Sequence, residues 1–304
     1  MTSNNTLLFS LKIIENSQKL TELTSINCFK KIKFTKLNWD GETVFSSYIH
    51  ETSALRHSSE TPIVLLHGFD SSLLEYRRLL PLLAEAGKEV WVIDLWGFGF
   101  NQRPPLQTYS PEKIKQHLAL FHREMIKKPM ILVGASMGGA TAIDFCLSYP
   151  ELVEKLVLLD SGGLIKQPII SKFLFPPLGY LATEFLRNLK VRQSISKTAY
   201  FDKNYASEDA LRCAALHLDC DNWNQALIKF TKSGGYGSFE DRLGEIEAPT
   251  LILWGKNDQI LGTKSAPLFQ SLIKNSELKW IENCGHVPHL EQAEITAQHI
   301  IRCC

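Results

Sequence analysis

The chain has 304 residues, of which 44% are hydrophobic, so it can bury a substantial core in one large domain or two smaller ones. A formal net charge of +1 gives no electrostatic basis for binding nucleic acid or an anionic membrane surface. The seven cysteines are odd in number and form no C-x-x-C pair, which argues against a disulfide framework and favours a reducing compartment.

The N-terminal residues do not have the pattern of a targeting segment. Their apolar stretch from Leu7 to Ile14 is short, is interrupted by Ser10 and Lys12, and has no basic residues before it. No apolar run in the chain approaches the length of a membrane span. The chain is therefore predicted to be cytoplasmic, with residues 1–30 as an N-terminal arm that is either helical or loose.

From residue 31 the pattern changes to a hairpin, with alternating segments at Ile32–Leu37 and Thr43–Tyr48 around a turn. Six short apolar strands follow, at Ile63–Leu66, Glu89–Ile93, Met130–Val133, Leu156–Leu159, Thr250–Trp254 and Leu278–Ile281. Helices are predicted between them, at Leu73–Ala86, Pro111–Lys127, Gly138–Ser148, Ser265–Lys274 and Pro288–Ile301. This alternation is typical of the α/β class, with a mostly parallel sheet covered by helices on both faces.

One long interval interrupts the alternation, since no strand is predicted between Gly162 and Gly244. It contains apolar helical stretches at Lys172–Leu189, Ala206–Leu218 and Trp223–Thr231. An interval of this length is too long for a structureless loop in a compact fold. We therefore predict a helical cap at residues 163–243, inserted between the core segments 31–162 and 244–304 and lying over the strand ends where ligands bind.

A serine stands between glycines directly after the predicted strand Met130–Val133. The residues Gly134-Ala135-Ser136-Met137-Gly138 have the G-x-S-x-G pattern, and an Ala-, Leu- and Ile-containing helical segment follows them. A strand, a sharp turn and a helix in this order expose the serine hydroxyl at the strand end, beside the N–H groups of the helix start. The pattern predicts that Ser136 is a nucleophile; the alternative is a tight turn that happens to carry a serine.

A serine nucleophile needs a base, and the base needs a carboxylate that holds its tautomer. His286 is the predicted base, because it lies next to a glycine on the loop that follows Leu278–Ile281. Asp258 is the predicted acid, because a short loop joins it to the strand Thr250–Trp254. The order serine, aspartate, histidine along the chain is one of the known orders of such a triad.

Two neighbouring residues are alternatives for these roles. Asp160 follows the strand Leu156–Leu159 and is the rival acid, although we prefer for it a role in capping the turn at residues 161–163. His289 is the rival base, but it follows Pro288 and is expected in the last helix rather than on the loop.

An oxyanion hole requires two N–H donors. Met137, directly after the nucleophile, is predicted to supply one, and Phe69, on the loop after Ile63–Leu66, to supply the other. His67 is expected to form structural hydrogen bonds beneath this loop. No G-x-G-x-x-G, P-loop or zinc-ligand spacing occurs in the chain, so no cofactor and no metal ion are predicted.

These motifs together resemble those of the α/β-hydrolase superfamily. The resemblance covers the chain from about residue 30 onward, and it is carried by His67-Gly68-Phe69, Asp94–Gly99, Gly134–Gly138, Asp258 and Gly285-His286. It implies an α/β-hydrolase fold with an inserted helical cap and a Ser136, Asp258, His286 triad.

A closer similarity is to the chlorophyll dephytylases of plants and cyanobacteria. It is carried by Gly68–Ser72, Leu74–Arg78 and Glu85–Gly87, and it implies cleavage of the phytyl ester of chlorophyll. The chain departs from the plant proteins at Met137, where they have leucine, and it shows no plastid transit peptide. The resemblance carries over the triad but no residue of the cap.

We therefore expect a serine esterase acting on a hydrophobic small-molecule ester, without nucleic acid as a partner. The alternatives are hydrolysis of a C–C bond or acyl transfer on the same triad, or a binding protein without catalysis. The uncharged apolar stretch Phe173–Leu181 is expected to roof the site. It would contact either an isoprenoid tail and a membrane surface, or simply the protein core.

Overall fold

The computed structural model of the protein describes residues 9–39, 41–52, 61–164 and 178–303. One eight-stranded sheet forms its centre. The strands are β1 (Lys33–Trp39), β2 (Glu42–Glu51), β3 (Ile63–Leu66), β4 (Val90–Ile93), β5 (Met130–Ala135), β6 (Val153–Leu159), β7 (Thr250–Gly255) and β8 (Ser276–Ile281). All the predicted strands are present, and most are longer by a few residues than the apolar run that predicted them.

The strands lie in the order β1-β2-β4-β3-β5-β6-β7-β8. β1 pairs with β2, and β2 with β4, in antiparallel fashion, whereas every neighbouring pair from β4 to β8 is parallel. The mostly parallel sheet predicted from the sequence is thus confirmed. Because the strands are parallel, the carboxyl ends of β3, β5, β6, β7 and β8 meet at one edge.

Helices follow the strands and cover the sheet. They are α1 (Leu11–Ser17), α2 (Leu23–Lys30), α3 (Leu79–Glu85), α4 (Pro111–Phe121), α5 (Met137–Ser148), α6 (Leu178–Arg187), α7 (Leu189–Ala199), α8 (Glu208–Ala215), α9 (Trp223–Lys232), α10 (Ser265–Leu272), α11 (Pro288–Glu291) and α12 (Ala293–Cys303). None of the helices in these ranges combines the length and apolar character that crossing a lipid bilayer would require.

The core lies on both faces of the sheet. Along β3, Ile63 and Leu65 belong to one cluster of buried side chains, while Val64 and Leu66 belong to another. All four side chains are fully buried. This is why β3 is apolar at every position rather than at alternate ones, since neither face of a central parallel strand meets water.

Three predicted helices are interrupted in the structure. The first consists of a 3-10 turn at Leu73–Tyr76 followed by α3, and the last is divided into α11 and α12. Helix α4 continues into a short π-helical turn, His122–Ile126. Lys127 then ends the segment with a φ of 64°, in the left-handed region. Apolar periodicity predicted the helical character of these segments but not their interruptions.

Four helices, α6 to α9, lie between β6 and β7, and the described part of this interval contains no strand. We assign them to the proposed cap. Helix α7 was not predicted, because its sequence is mostly polar and none of its residues is fully buried. The predicted helix start at Lys172 and most of the apolar stretch 173–181 lie outside the described residues.

The described part of the expected N-terminal arm consists of α1 and α2. Ile13, Cys28 and Phe29 are buried in the same cluster as Leu65 of the sheet. The carboxylate of Asp209, at the start of α8, accepts hydrogen bonds from the backbone N–H groups of Thr21 and Glu22. These helices therefore pack against both the sheet and the proposed cap.

Candidate active site

Ser136 forms the junction between β5 and α5. Its φ of 52° and ψ of −116° lie in a region that residues with a side chain seldom adopt. The neighbouring backbone maintains this conformation, because the Ser136 N–H donates to Leu159 O at 3.0 Å and its carbonyl accepts from Gly162 N at 2.8 Å. The serine side chain is consequently half-buried at the carboxyl end of β5.

The two glycines of the motif are required by close backbone packing. A Cβ atom on Gly134 would lie 2.2 Å from Gly138 O, and one on Gly138 would lie 2.1 Å from Leu66 O. Both distances are far below van der Waals contact, so only glycine permits the turn at these positions.

His286 and Asp258 are hydrogen-bonded side chains on the loops after β8 and β7. His286 Nδ1 lies 3.0 Å from Asp258 Oδ2, and both residues are buried. The other carboxylate oxygen of Asp258 accepts hydrogen bonds from Ile260 N at 2.7 Å and Leu261 N at 3.2 Å. With its carboxylate held in this way, Asp258 leaves Nε2 of His286 as the ring nitrogen available for chemistry.

Three of the predicted site residues line one cavity of about 300 Å³. They are Phe69 of the oxyanion loop, Ser136 of the elbow and the proposed base His286. Side chains of α7 and α8 form its opposite wall, among them Ile195 and Ala210. Among the described residues, no hydrogen bond joins the Ser136 hydroxyl to His286. Such contacts are often longer in a free site than in the reacting complex.

Asp160, the rival acid, lies beside this pair. Its Oδ1 accepts a hydrogen bond from Gly255 N at 3.0 Å, at the end of β7, and its Oδ2 has no partner among the described residues. The expected role in capping the turn at residues 161–163 is therefore wrong, since the side chain turns toward the neighbouring strand. Burial, together with the nearby charge of Asp258, raises the pKa of Asp160 well above its usual value. Its carboxyl group consequently favours the neutral form.

The described ranges contain one cluster of side chains that could hold a metal ion. It consists of Asp160, Asp258 and His286, whose possible ligand atoms lie within 4.8 Å of one another. Binding a cation at Nδ1 of His286 would remove that nitrogen from its hydrogen bond with Asp258. A hydrogen-bonded dyad of Asp258 and His286 beside the buried carboxyl group of Asp160 therefore fits these side chains better than a metal site.

Phe69, on the loop after β3, and Met137, directly after Ser136 at the start of α5, are the two predicted backbone donors. The N–H groups of Phe69 and Met137 have no acceptor among the described residues. His67 lies beneath the loop as expected, with Nδ1 2.8 Å from Gly68 O, and its Nε2 accepts from Leu95 N at 3.1 Å. The loop is thus fixed by hydrogen bonds that leave these two donors free.

A second histidine–carboxylate pair supports the same loop and was not predicted. Glu75 Oε2 accepts from Gly68 N at 3.0 Å, and Glu75 Oε1 lies 2.9 Å from His289 Nε2. Burial alone would raise the pKa of Glu75, but the hydrogen bond and charge of His289, together with His67 and Ser71, outweigh burial and lower it to about 2. The rival base His289 is therefore a partner of Glu75 beneath the oxyanion loop.

Asp70 joins the oxyanion loop to the proposed cap. Its φ is 47°, and its carboxylate contacts Arg192 of α7, His217 Nε2 at 3.3 Å and Trp223 Nε1 at 2.8 Å. Burial opposes ionisation of Asp70, but these partners together lower its pKa. Sequence patterns carry no signal for this network, because its members lie far apart along the chain.

Comparison with known proteins supports the same fold. The chain matches the family profile described as alpha/beta hydrolase fold over residues 61–293. It is 33% identical to the alpha/beta hydrolase domain-containing protein VTE7 of Arabidopsis thaliana, over 86% of this chain and 77% of that protein. It is 28% identical to the 2-hydroxy-6-oxo-6-(2'-aminophenyl)hexa-2,4-dienoic acid hydrolase of Metapseudomonas resinovorans, over 80% of this chain and 84% of the relative.

A solved structure of a serine hydrolase involved in carbazole degradation, the CarC enzyme, shares the fold. It has a TM-score of 0.73 at 24% identity and covers 89% of this chain and 98% of its own. A thermophilic esterase from Thermogutta terrifontis has a TM-score of 0.73 at 19% identity, over 89% and 97% of the two chains. These structures share the fold, and the profile match together with the 33% identity to VTE7 shows that the chain is a hydrolase that belongs to the α/β-hydrolase fold family.

Proposed function

We propose that the protein is a serine hydrolase that cleaves a carboxylic ester, with Ser136 as nucleophile, His286 as base and Asp258 as the acid that orients the base. The observation that carries this proposal is the 3.0 Å hydrogen bond from His286 to Asp258 at a cavity that Ser136 also lines. Nucleophile, base and orienting carboxylate on three loops at one sheet edge are the parts that such chemistry needs.

The reaction follows from the roles of these groups. His286 removes the proton of Ser136, whose oxygen attacks the carbonyl carbon of the ester and forms a tetrahedral oxyanion. The N–H groups of Phe69 and Met137 donate hydrogen bonds to that oxyanion. His286 then protonates the leaving alcohol, and an acyl group remains on Ser136. A water molecule deprotonated by His286 hydrolyses this acyl-enzyme and releases the carboxylic acid.

The similarity to dephytylases in Gly68–Ser72 and Leu74–Arg78 supports the phytyl ester of chlorophyll as one candidate substrate. Exposed apolar side chains on α6 support contact of the proposed cap with a lipid surface that holds such a substrate. Leu181 and Phe185 are each 63% exposed. Glutamate at both positions should reduce co-sedimentation with neutral phosphatidylcholine vesicles, and unchanged binding would refute the membrane contact.

Hydrolysis of a C–C bond is the second candidate. The similarity to a relative named as a dienoic acid hydrolase, over 80% of this chain, favours it. The same triad would serve, because His286 would protonate a carbon leaving group instead of an alcohol. A vinylogous diketone acid and an ester of matched size distinguish the two reactions by their products.

Labelling with a fluorophosphonate tests the nucleophile. The wild-type protein should react, and Ser136→Ala should not. Ser196→Ala, which removes the hydroxyl of a second serine of the same cavity, should still react. A folded wild-type protein that is not labelled and that hydrolyses no ester of a graded panel, chlorophyll a included, would refute the proposal in favour of a binding protein.

A further inference from the structure

Asp70 directly follows Phe69, whose N–H group is one of the two proposed oxyanion donors. The two residues form the turn after β3, and Asp70 has a φ of 47°, in the left-handed region that residues with a side chain seldom adopt. Asp70 is buried, although it belongs to a loop in the wall of the cavity. A buried acidic residue with this backbone conformation needs contacts that hold it in place.

The contacts that hold the Asp70 carboxylate come from three separate elements of the proposed cap. Its Oδ2 forms an ion pair with Arg192 of α7. Its Oδ1 lies 3.3 Å from His217 Nε2, in the 3-10 turn Leu216–Asp219, and accepts a hydrogen bond at 2.8 Å from Trp223 Nε1, at the start of α9. One carboxylate thereby joins the oxyanion loop to α7, to this turn and to α9.

Contacts with the core hold the residues on the other side of Phe69. Glu75 accepts a hydrogen bond from Gly68 N at 3.0 Å, and His67 Nδ1 lies 2.8 Å from Gly68 O. Phe69 is thus placed between Gly68, which is fixed to the core, and Asp70, which is fixed to the proposed cap. The position of the Phe69 N–H group therefore depends on both attachments.

The oxyanion loop lies close enough to the nucleophile for small displacements to matter. A Cβ atom on Gly68 would be in van der Waals contact with Ser136 Cβ, at 3.5 Å. An oxyanion formed on this serine has to be met by its donors at about 2.7–3.1 Å. Misplacement of a group at a reacting centre by about 1 Å costs on the order of 100-fold in rate.

We propose that Asp70 is a positioning residue of the reaction, which joins the oxyanion donor Phe69 to α7, α9 and the turn between them, so that the oxyanion hole is complete only while these elements are docked on the loop. The inference rests on the proposed function and adds the residue through which the proposed cap controls it. A change that breaks the contact from the side of the cap should therefore reduce catalysis without touching the substrate.

A pair of inhibitors isolates this role. An alkyl trifluoromethyl ketone is attacked at its carbonyl carbon by the Ser136 oxygen, the serine proton passes to His286, and the carbonyl oxygen becomes the oxyanion. The matched methyl ketone carries the same chain, but its carbonyl carbon is far less electrophilic and resists this addition. The ratio of the two inhibition constants therefore measures stabilisation of the oxyanion separately from binding of the chain.

Asp70→Ala should reduce the advantage of the trifluoromethyl ketone by about 100-fold and lower kcat in parallel. The inhibition constant of the methyl ketone and the KM of an ester should stay as in the wild type. Equal losses of affinity for both ketones would show that Asp70 binds the substrate directly, and an unchanged ratio would show a structural role alone. Either result would overturn the inference.

Trp223→Phe tests the contact from the side of the proposed cap. Trp223 does not line the cavity, and the change removes one hydrogen bond to Asp70. It should reduce the advantage of the trifluoromethyl ketone by about tenfold. Trp91→Phe is the matched control, because it removes the bond of another buried indole to a carboxylate, that of Glu89, near the amino end of β4. This control should keep the wild-type ratio.

The double variant Asp70→Ala, Trp223→Phe shows whether the two residues act through one contact. It should be no worse than Asp70→Ala alone, and losses that multiply would overturn the coupling. If Asp70→Ala does not fold, because Arg192 is left without its carboxylate, Asp70→Asn replaces it. Its amide cannot form the ion pair, so the ratio should fall by about tenfold, and a wild-type ratio would overturn the inference.

Labelling separates this inference from the proposed function. A wild type that reacts with fluorophosphonate and keeps its ketone ratio when Asp70 is changed would overturn the inference alone. A folded wild type without labelling and without any hydrolysis would overturn the proposed function, and the inference with it.

Discussion

The carboxylate of Glu291 accepts a hydrogen bond from the backbone N–H of Gly285 at 2.7 Å, directly before His286. The same carboxylate accepts from Phe201 N at 3.0 Å and Asp202 N at 2.6 Å, just after α7. His286 N–H in turn donates to Ala199 O, the last residue of α7, at 2.7 Å. The loop that carries the proposed base is therefore attached to the proposed cap, so the position of the imidazole depends on both.

Glu291→Gln should weaken this attachment. An amide presents one acceptor oxygen in place of two, and its NH2 group would face backbone N–H donors, leaving buried donors unsatisfied at a cost of about 1–3 kcal/mol. Urea unfolding should show this loss of stability, and kcat should fall more than KM rises, because the imidazole loses its position. The exposed Glu294→Gln is the control, and a Glu291 variant as stable and as active as that control would contradict the prediction.

The two aspartates near His286 should respond differently to conversion to asparagine. Asp258→Asn replaces the acceptor of the Nδ1–H bond and disturbs the tautomer, so kcat should fall by roughly 10⁴-fold, as in other triads. Asp160→Asn imitates a carboxyl group that already favours the neutral form and can still accept from Gly255 N. It should retain most of the activity. Steady-state kinetics on one nitrophenyl ester checks both, and the reverse order of losses would make Asp160 the acid.

Gly138→Ala should destabilise the fold and abolish the elbow. Its Cβ would lie 2.1 Å from Leu66 O and 2.6 Å from His67 O, and these are backbone atoms of the sheet that cannot move aside as a flexible side chain would. A loss of at least about 2 kcal/mol in the free energy of unfolding is expected. Gly244→Ala, whose Cβ would lie 3.8 Å from Leu272 O, should change stability by no more than about 0.5 kcal/mol. Comparable losses in the two variants would show that the close approach is not the cause.

The ionisation of Glu75 should make the free energy of unfolding depend on pH in the acid range. Its pKa is lowered from 4.5 to about 2 in the folded protein, so the ionised carboxylate stabilises the fold above pH 4.5, and that contribution disappears as the pH falls toward 2. The difference in unfolding free energy between wild type and Glu75→Gln should shrink by about 3 kcal/mol over this interval.

Urea unfolding of both proteins at about pH 6 and about pH 3 should show about 2 kcal/mol of this change, because part of the contribution remains until the pH falls below the folded-state pKa. Glu85→Gln, at an exposed position of α3, is the matched control and should track the wild type at both values. A Glu75 variant whose deficit is the same at both values would show that its ionisation does not contribute.

Local sequence patterns predicted much of the candidate site. The apolar run of β5, the glycines around Ser136 and the helix after them predicted the strand, turn and helix that the structure contains. Asp258 and His286 were selected because each follows a strand by a short loop, and they are hydrogen-bonded in the folded chain. In both cases the pattern succeeded because a parallel sheet brings the carboxyl ends of its strands to one edge.

Other contacts had no counterpart in the sequence. Glu75 and His289 are 214 positions apart, and Asp70 contacts Trp223 across 153 positions. Separations of this size cannot be recognised from the periodicity of a helix or a strand. The partners meet only because the helices between β6 and β7, and the last helices of the chain, fold back onto the oxyanion loop.

Composition, periodicity and short motifs were thus sufficient for the fold family, for the strand, turn and helix at Ser136 and for the candidate triad, since each of these is recognised from a short local pattern. The hydrogen bond of Asp160 to the end of β7 and the support of the His286 loop by Glu291 follow only from the packing of the folded chain. Burial and hydrogen-bond partners are properties of groups brought together in space, and no one-dimensional pattern records which donor will be left without an acceptor.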